Sequence, residues 1–105
     1  MTVAEHEAVA NGAELLDSRG PEDWVSRIDL DRLNIESVTD CVLGQLYGES
    51  YLGFNSLLTA EEDRAGDRIQ WGYRNGFIGT LSTESWDVLT ETWRELIEER
   101  RRQDD

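Results

Sequence analysis

Apolar and polar positions along this chain follow a helical period for most of its length. Val9, Gly12, Ala13 and Leu16 recur at helical spacing and predict a first helix from about Ala4 to Asp17. Gly20 and Pro21 interrupt it. Pro21 suits the first position of a short helical turn, with Glu22 and Asp23 at its positive end and Trp24 and Ile28 turned inward. Ile28 to Asp31 then alternates for four residues before Leu33 and Ile35 break the period, which fits a short strand or an extended linker. Ser37 and Asp40 have the spacing of a capping box ahead of Cys41, Val42, Leu43, Leu46 and Tyr47, with Gly48 as the left-handed terminator. Apolar residues cover nearly the whole circumference of that segment. It is therefore expected to run through the middle of the domain with Leu46 fully buried, and Gly44 to mark the close approach of another helix.

Ser50 is placed to cap a helix carrying Tyr51, Leu52, Phe54, Leu57 and Leu58. Thr59 and Glu62 form a second capping box, opening a polar helix that extends to Trp71 and stops at Gly72. Two features oppose that helix: Gly66 weakens it by about 1 kcal/mol relative to Ala, and Ile69, Trp71 and Tyr73 alternate as a strand would. Asn75 to Thr80 reads as a loop. Ser82 or Thr83 then caps the longest helix, whose inner stripe is Trp86, Leu89, Trp93, Leu96 and Ile97 and whose negative end carries Arg100, Arg101 and Arg102. The pattern predicts a mainly α protein, one domain over residues 1–105 with about four to six helices and frayed ends near 1–4 and 101–105. A short β pair around 28–31 and 69–73 is the open alternative.

Composition supports a folded core, since 38% of residues are apolar and four Trp, three Tyr and two Phe are among them. No run approaches the roughly 20 apolar residues of a membrane span, and the first residues carry acids where a signal peptide needs bases. A cytoplasmic location is expected. Cys41 is the only cysteine, so packing alone must supply stability. Charge changes the picture most: 23 Asp and Glu stand against ten Arg with no Lys, a formal net charge of -13. A field of that sign disfavours direct binding to nucleic acid or anionic membranes, whose recognition depends on cations that neutralise phosphates. Arginine as the sole strong base is usually a codon effect of a GC-rich genome and occasionally a sign of adaptation to high salt.

The segment Arg27, Ile28, Asp29, Leu30, Asp31, the stretch Cys41 to Gly48, and Leu89, Thr90 and Trp93 together resemble a family of short proteins from actinobacteria and their bacteriophages. The resemblance runs from Leu15 to Ile97. That family has no assigned activity, so the resemblance implies an origin and no mechanism.

No catalytic, cofactor or metal motif emerges. Cys41 at a helix start has the position of an activated thiol, but Asp40 opposes ionisation and the single histidine, His6, is remote in sequence, so a buried structural cysteine is the simpler reading. Asp29, Asp31, Asn34 and Glu36 resemble a calcium loop only superficially, because Leu33 occupies a ligand position and no glycine makes the turn. Capping of nearby backbone N–H groups, or pairing with Arg27 or Arg32, is the ordinary role for these acids. The glycines between Gly44 and Gly53 lack the lysine of a phosphate loop.

These observations favour a non-enzymatic, phage- or prophage-type protein that binds a basic host protein through an acidic surface, as a nucleic-acid mimic or inhibitor. Net charge well beyond the 2 to 8 units that serve solubility in a small domain motivates that reading. Glu61, Glu62 and Asp63, with Asp67 one turn on, are the expected partner-binding carboxylates, and their neutralisation is expected to leave the fold intact or slightly firmer. The alternative is a structural or assembly module that forms a homo-oligomer through its tryptophan-bearing last helix.

Overall fold

Seven helices make up the regular structure of the described residues in the computed structural model, which describes residues 2–64, 68–79 and 83–103. They are α1 (Thr2–Arg19), α2 (Trp24–Arg27), α3 (Val42–Tyr47), α4 (Ser50–Leu57), α5 (Ala60–Arg64), α6 (Arg68–Arg74) and α7 (Thr83–Gln103). The two long helices, α1 and α7, lie side by side and run in the same direction. Ser85 reaches Glu5 near their starts, and Arg100 reaches Asp17 near their ends. Their shared seam buries Val9, Ala13 and Leu16 against Leu89, Trp93 and Ile97, as the helical periodicity predicts.

Trp93 is the hub of the core. Fully buried, it donates its indole N–H to the Gly76 carbonyl at 2.7 Å, stacks on Phe77 with centroids 5.8 Å apart, and meets Trp24 edge-on at 6.1 Å. Phe77 continues to Trp71 at 5.6 Å and Trp71 to Phe54 at 5.4 Å, so five rings form an unbroken chain from α2 to α4. Offset and edge contacts of this kind add to the apolar burial of each ring. Gly12 permits the close approach of the 75–76 turn: a Cβ there would stand 2.0 Å from the Asn75 carbonyl oxygen. Gly76 itself has φ +72°, a left-handed conformation open to glycine at little cost.

The described residues contain no strand, so the β pair around 28–31 and 69–73 does not form. Residues 68–74 are helical, with Ile69 exposed (62%) while Trp71 and Gly72 are buried, an arrangement that strand alternation does not give. Around residue 30 the backbone finds side-chain partners in place of a ladder. The Asp29 N–H goes to Gln45 Oε1 at 2.6 Å and the Asp31 N–H to Asp29 Oδ1 at 3.1 Å. The polar helix opened by Thr59 is present as α5 and α6, and the second of these continues past Gly72 to Arg74. Gly66 lies outside the described residues.

The segment 41–48 also differs from expectation. It forms only the six-residue α3, closed at Gly48 with φ +99°, and pairs with α4 as a peripheral hairpin. Val42, Leu43 and Gly44 are buried against α4, α2 and the 38–39 loop, but Leu46 is only half-buried. A Cβ on Gly44 would meet the backbone of Val38 and Thr39, so a loop rather than a helix approaches there. Half of the first capping box forms: Ser37 Oγ accepts from the Asp40 N–H at 3.1 Å, while Asp40 turns its carboxylate to Arg32. The true cap of α3 is Cys41, whose sulfur accepts from the Gly44 N–H at 3.2 Å. Thr59 and Glu62 make the complete reciprocal box, at 2.9 and 3.1 Å.

Candidate functional site

The carboxylates expected to bind a partner are largely engaged within the fold. Glu62 accepts from the Thr59 backbone N–H and from Arg19 at 2.9 Å, and these hold its carboxyl below the usual range, the backbone bond contributing most. Asp63 pairs with Arg68 at 3.0 Å. Glu61 is exposed without an ion pair among the described residues, and Asp67 lies outside them. Glu61, Glu62 and Asp63 are thus adjacent on α5, but two of the three serve capping and bridging. Replacing Glu62 by Gln removes its ion pair with Arg19, whereas the amide oxygen can still accept from the Thr59 N–H and keep the capping box.

A longer acidic array lies on α7. Glu84, Asp87, Glu91, Glu95 and Glu98 are all exposed and follow one another at spacings of three or four residues. At 3.6 residues per turn they fall within an arc of about 80° and extend about 21 Å along the helix. The ridge lies opposite the buried stripe of Leu89, Trp93 and Ile97. Only Glu91 has an ion pair among the described residues, with Arg94. Sequence reasoning singled out consecutive acids and passed over this row, although the same period that marks the tryptophan stripe marks it too.

Cations are drawn into the fold. Seven arginines make ion pairs with Glu or Asp, and Arg101 is directed at the backbone carbonyls of Val25 and Ile28. Most of these bridges are partly exposed and individually weak. Two of these arginines, Arg94 paired with Glu91 and Arg102 near Glu98, offset part of the α7 ridge, and Glu84, Asp87 and Glu95 remain without an ion pair among the described residues.

Cys41 is buried beside a small cleft of about 110 Å³ under Phe54, Ile78 and Trp86. Burial pushes its thiol up, the Gly44 N–H pulls the other way, and the Asp40 charge adds to the rise. His6 is exposed on α1 in a different cleft with Glu95 and Glu99, so the fold does not bring thiol and imidazole together. Asp29 caps Asp31, while Arg27 and Arg32 pair with Asp23 and Asp40. Among the described residues no group of three or more His, Cys, Asp or Glu is arranged to hold a metal ion. No helix among them is long and apolar enough to cross a membrane. The tryptophan stripe of α7 is occupied by the core, with only Trp86 and Leu96 half-buried at its edges, which leaves little apolar surface there for self-association.

Compared with known proteins, the chain matches no family model, no curated sequence and no solved structure.

Proposed function

We propose that this protein is a non-enzymatic interaction protein of phage or prophage type, acting in the host cytoplasm, that places the acidic ridge of α7 against a basic, nucleic-acid-binding surface of a host protein. The single observation that carries the reading is the row Glu84, Asp87, Glu91, Glu95 and Glu98 on one exposed face. It offers a negative charge about every 5 Å on a rigid rod. One strand of duplex DNA offers a charge about every 3.4 Å, so the ridge is a sparser but comparable line of anions. The resemblance of the 27–31, 41–48 and 89–93 segments to actinobacterial and phage proteins supports the origin. Glu61 on α5 is a further exposed carboxylate without an ion pair among the described residues.

The test is competition. Proteins retained from an actinobacterial lysate at low salt are expected to include a DNA-binding protein that this chain displaces from DNA, with affinity falling steeply as salt rises. A variant carrying Glu84→Gln, Asp87→Asn and Glu95→Gln is expected to keep its helical content and lose both displacement and salt dependence. Undiminished displacement by that variant would sink the proposal.

A further inference from the structure

The last turns of α7 are attached differently from the rest of the helix. Its buried stripe ends at Ile97, and Glu98 to Gln103 contains no apolar side chain. Two guanidinium groups hold it. Arg100 lies over the Trp24 ring, 5.9 Å from the centroid, and donates to Asp17 Oδ1 at 3.1 Å. Arg101 donates twice to the Val25 carbonyl, at 2.9 and 3.2 Å, and once to that of Ile28.

The receptor for these groups follows from the shortness of α2. Four residues of helix leave their carbonyls without intrahelical donors, so the oxygens of Val25 and Ile28 are free to take a side-chain donor. Trp24 Nε1 donates to Asp17 Oδ1 at 2.9 Å, fixing the carboxylate against the edge of the ring. Burial raises the Asp17 carboxyl, but the bonds from Arg100 and Trp24 and the Arg100 charge outweigh it and leave the group below its ordinary range. An aromatic face, a carboxylate and two carbonyls around one notch suit a planar guanidinium with five donors better than a compact ammonium. Beside the notch lies an open cleft of about 780 Å³ rimmed by Glu22, which has no ion pair among the described residues, and by Asp23, which pairs with Arg27, and it has room for a basic chain.

The geometry points to an arginine-recognition notch, formed by Asp17, Trp24 and the carbonyls of Val25 and Ile28, which the chain fills with its own Arg100 and Arg101 and which an arginine-bearing segment of a basic partner protein occupies by displacing them. The tethered arginines compete at an effective concentration of about millimolar, so the intact chain binds such a segment weakly and a vacated notch binds it well. Displacement is local, because nothing apolar holds the strap beyond Ile97. The notch shares a basic partner with the function proposed above; its own lining includes no ridge residue, and of the ridge only Glu98 lies on the strap that it releases.

The probe is a short blocked peptide with two adjacent arginines, and its control carries lysines instead. By calorimetry the full chain with Arg100→Ala and Arg101→Ala, its helical content unchanged, is expected to bind the arginine peptide at least about tenfold more tightly than the unaltered chain. It is also expected to prefer arginine to lysine by about tenfold and to lose binding when Asp17→Asn is added. Equal binding by both chains, or by both peptides, overturns the inference. If the double variant loses helical content, the unaltered chain decides the matter. Millimolar arginine peptide must then accelerate amide exchange in Glu98–Gln103 while α1 stays protected, and unchanged protection of that segment refutes the notch. The variant neutralised at Glu84, Asp87 and Glu95 separates the two proposals. It must still exchange its strap for the peptide, and failure to do so assigns the binding to the ridge.

Discussion

Gly12→Ala inverts a familiar expectation. In the interior of an exposed helix, replacing Gly by Ala stabilises by about 1 kcal/mol, and Gly12 lies in the middle of α1. Here the new methyl group would stand 2.0 Å from the Asn75 carbonyl oxygen and 2.9 Å from a ring carbon of Trp93. A carbon–oxygen contact needs well over 3 Å, so the 75–76 turn must move by about 1 Å or α1 must lift from α7. The turn is poorly free to move. Asn75 Nδ2 is bonded to the Trp71 carbonyl, Asn11 reaches the Arg74 carbonyl, and the next carbonyl, that of Gly76, takes the Trp93 indole N–H. Overpacking costs about 1 to 3 kcal/mol, and loosening the buried Trp93 bond about 1 to 3 more. After the propensity gain is subtracted, a net loss of about 1 to 5 kcal/mol is expected. Urea unfolding followed by far-ultraviolet circular dichroism measures it, with Ala10→Gly on the exposed side of α1 reporting the ordinary propensity. A midpoint for Gly12→Ala equal to or above that of the parent would refute the claimed contact.

Leu43→Ala, at a fully buried position, is expected to cost about 2 to 5 kcal/mol, and Leu46→Ala clearly less; equal urea midpoints for the two would return Leu46 to the core. Cys41 is expected to react slowly with a thiol reagent at neutral pH, and Cys41→Ser to be tolerated better than Cys41→Ala because a hydroxyl oxygen can also cap Gly44; rapid labelling of the folded chain would contradict the burial. Glu62→Ala is expected to cost about 1 kcal/mol at neutral pH through loss of the capping box. Because the folded carboxyl is held below its ordinary value, its contribution is present above pH of about 4.3 and fades as pH falls through the lowered value. The difference between variant and parent should therefore narrow in acid, and a constant difference from pH 7 to 3 would remove the ionised bond from the account.

The long amphipathic helices were legible because their buried residues recur with one period over many turns: Val9, Ala13 and Leu16 in α1, and Leu89, Trp93 and Ile97 in α7, all reach the core. Thr59 and Glu62 were legible because a capping box is a local exchange of two hydrogen bonds. The placement of 41–48 was not, because an all-round apolar segment six residues long meets the same description in a hairpin flank as at a domain centre, and only the position of α4 decides between them. Residues 28–31 failed for a related reason. Alternation marks a strand only if another strand is available, and Gln45 supplies the partner instead. Among the acids, adjacency in sequence pointed to α5, whereas on α7 the exposed row has one ion pair among the described residues, Glu91 with Arg94, and pairings as distant as Arg19 with Glu62 cannot be read from spacing.

The chain of rings from Phe54 through Trp71, Phe77 and Trp93 to Trp24 has an optical consequence. Trp24 and Trp93, in edge contact at 6.1 Å, couple directly and are expected to give a near-ultraviolet dichroic band, while Trp71, separated from Trp93 by Phe77, joins this antenna only by energy transfer through space. Trp86 is outside the chain of ring contacts. Excitation absorbed at Trp71 can pass through space to Trp93 and on to the Arg100-covered Trp24, where a change in quenching registers even if the perturbation began beside Trp71. Intrinsic emission will therefore report whether the core is assembled and will be blind to where it first loosens. Assigning an event to a place in this molecule calls for a probe outside the antenna, and Cys41, the only thiol, is too deeply packed to carry one.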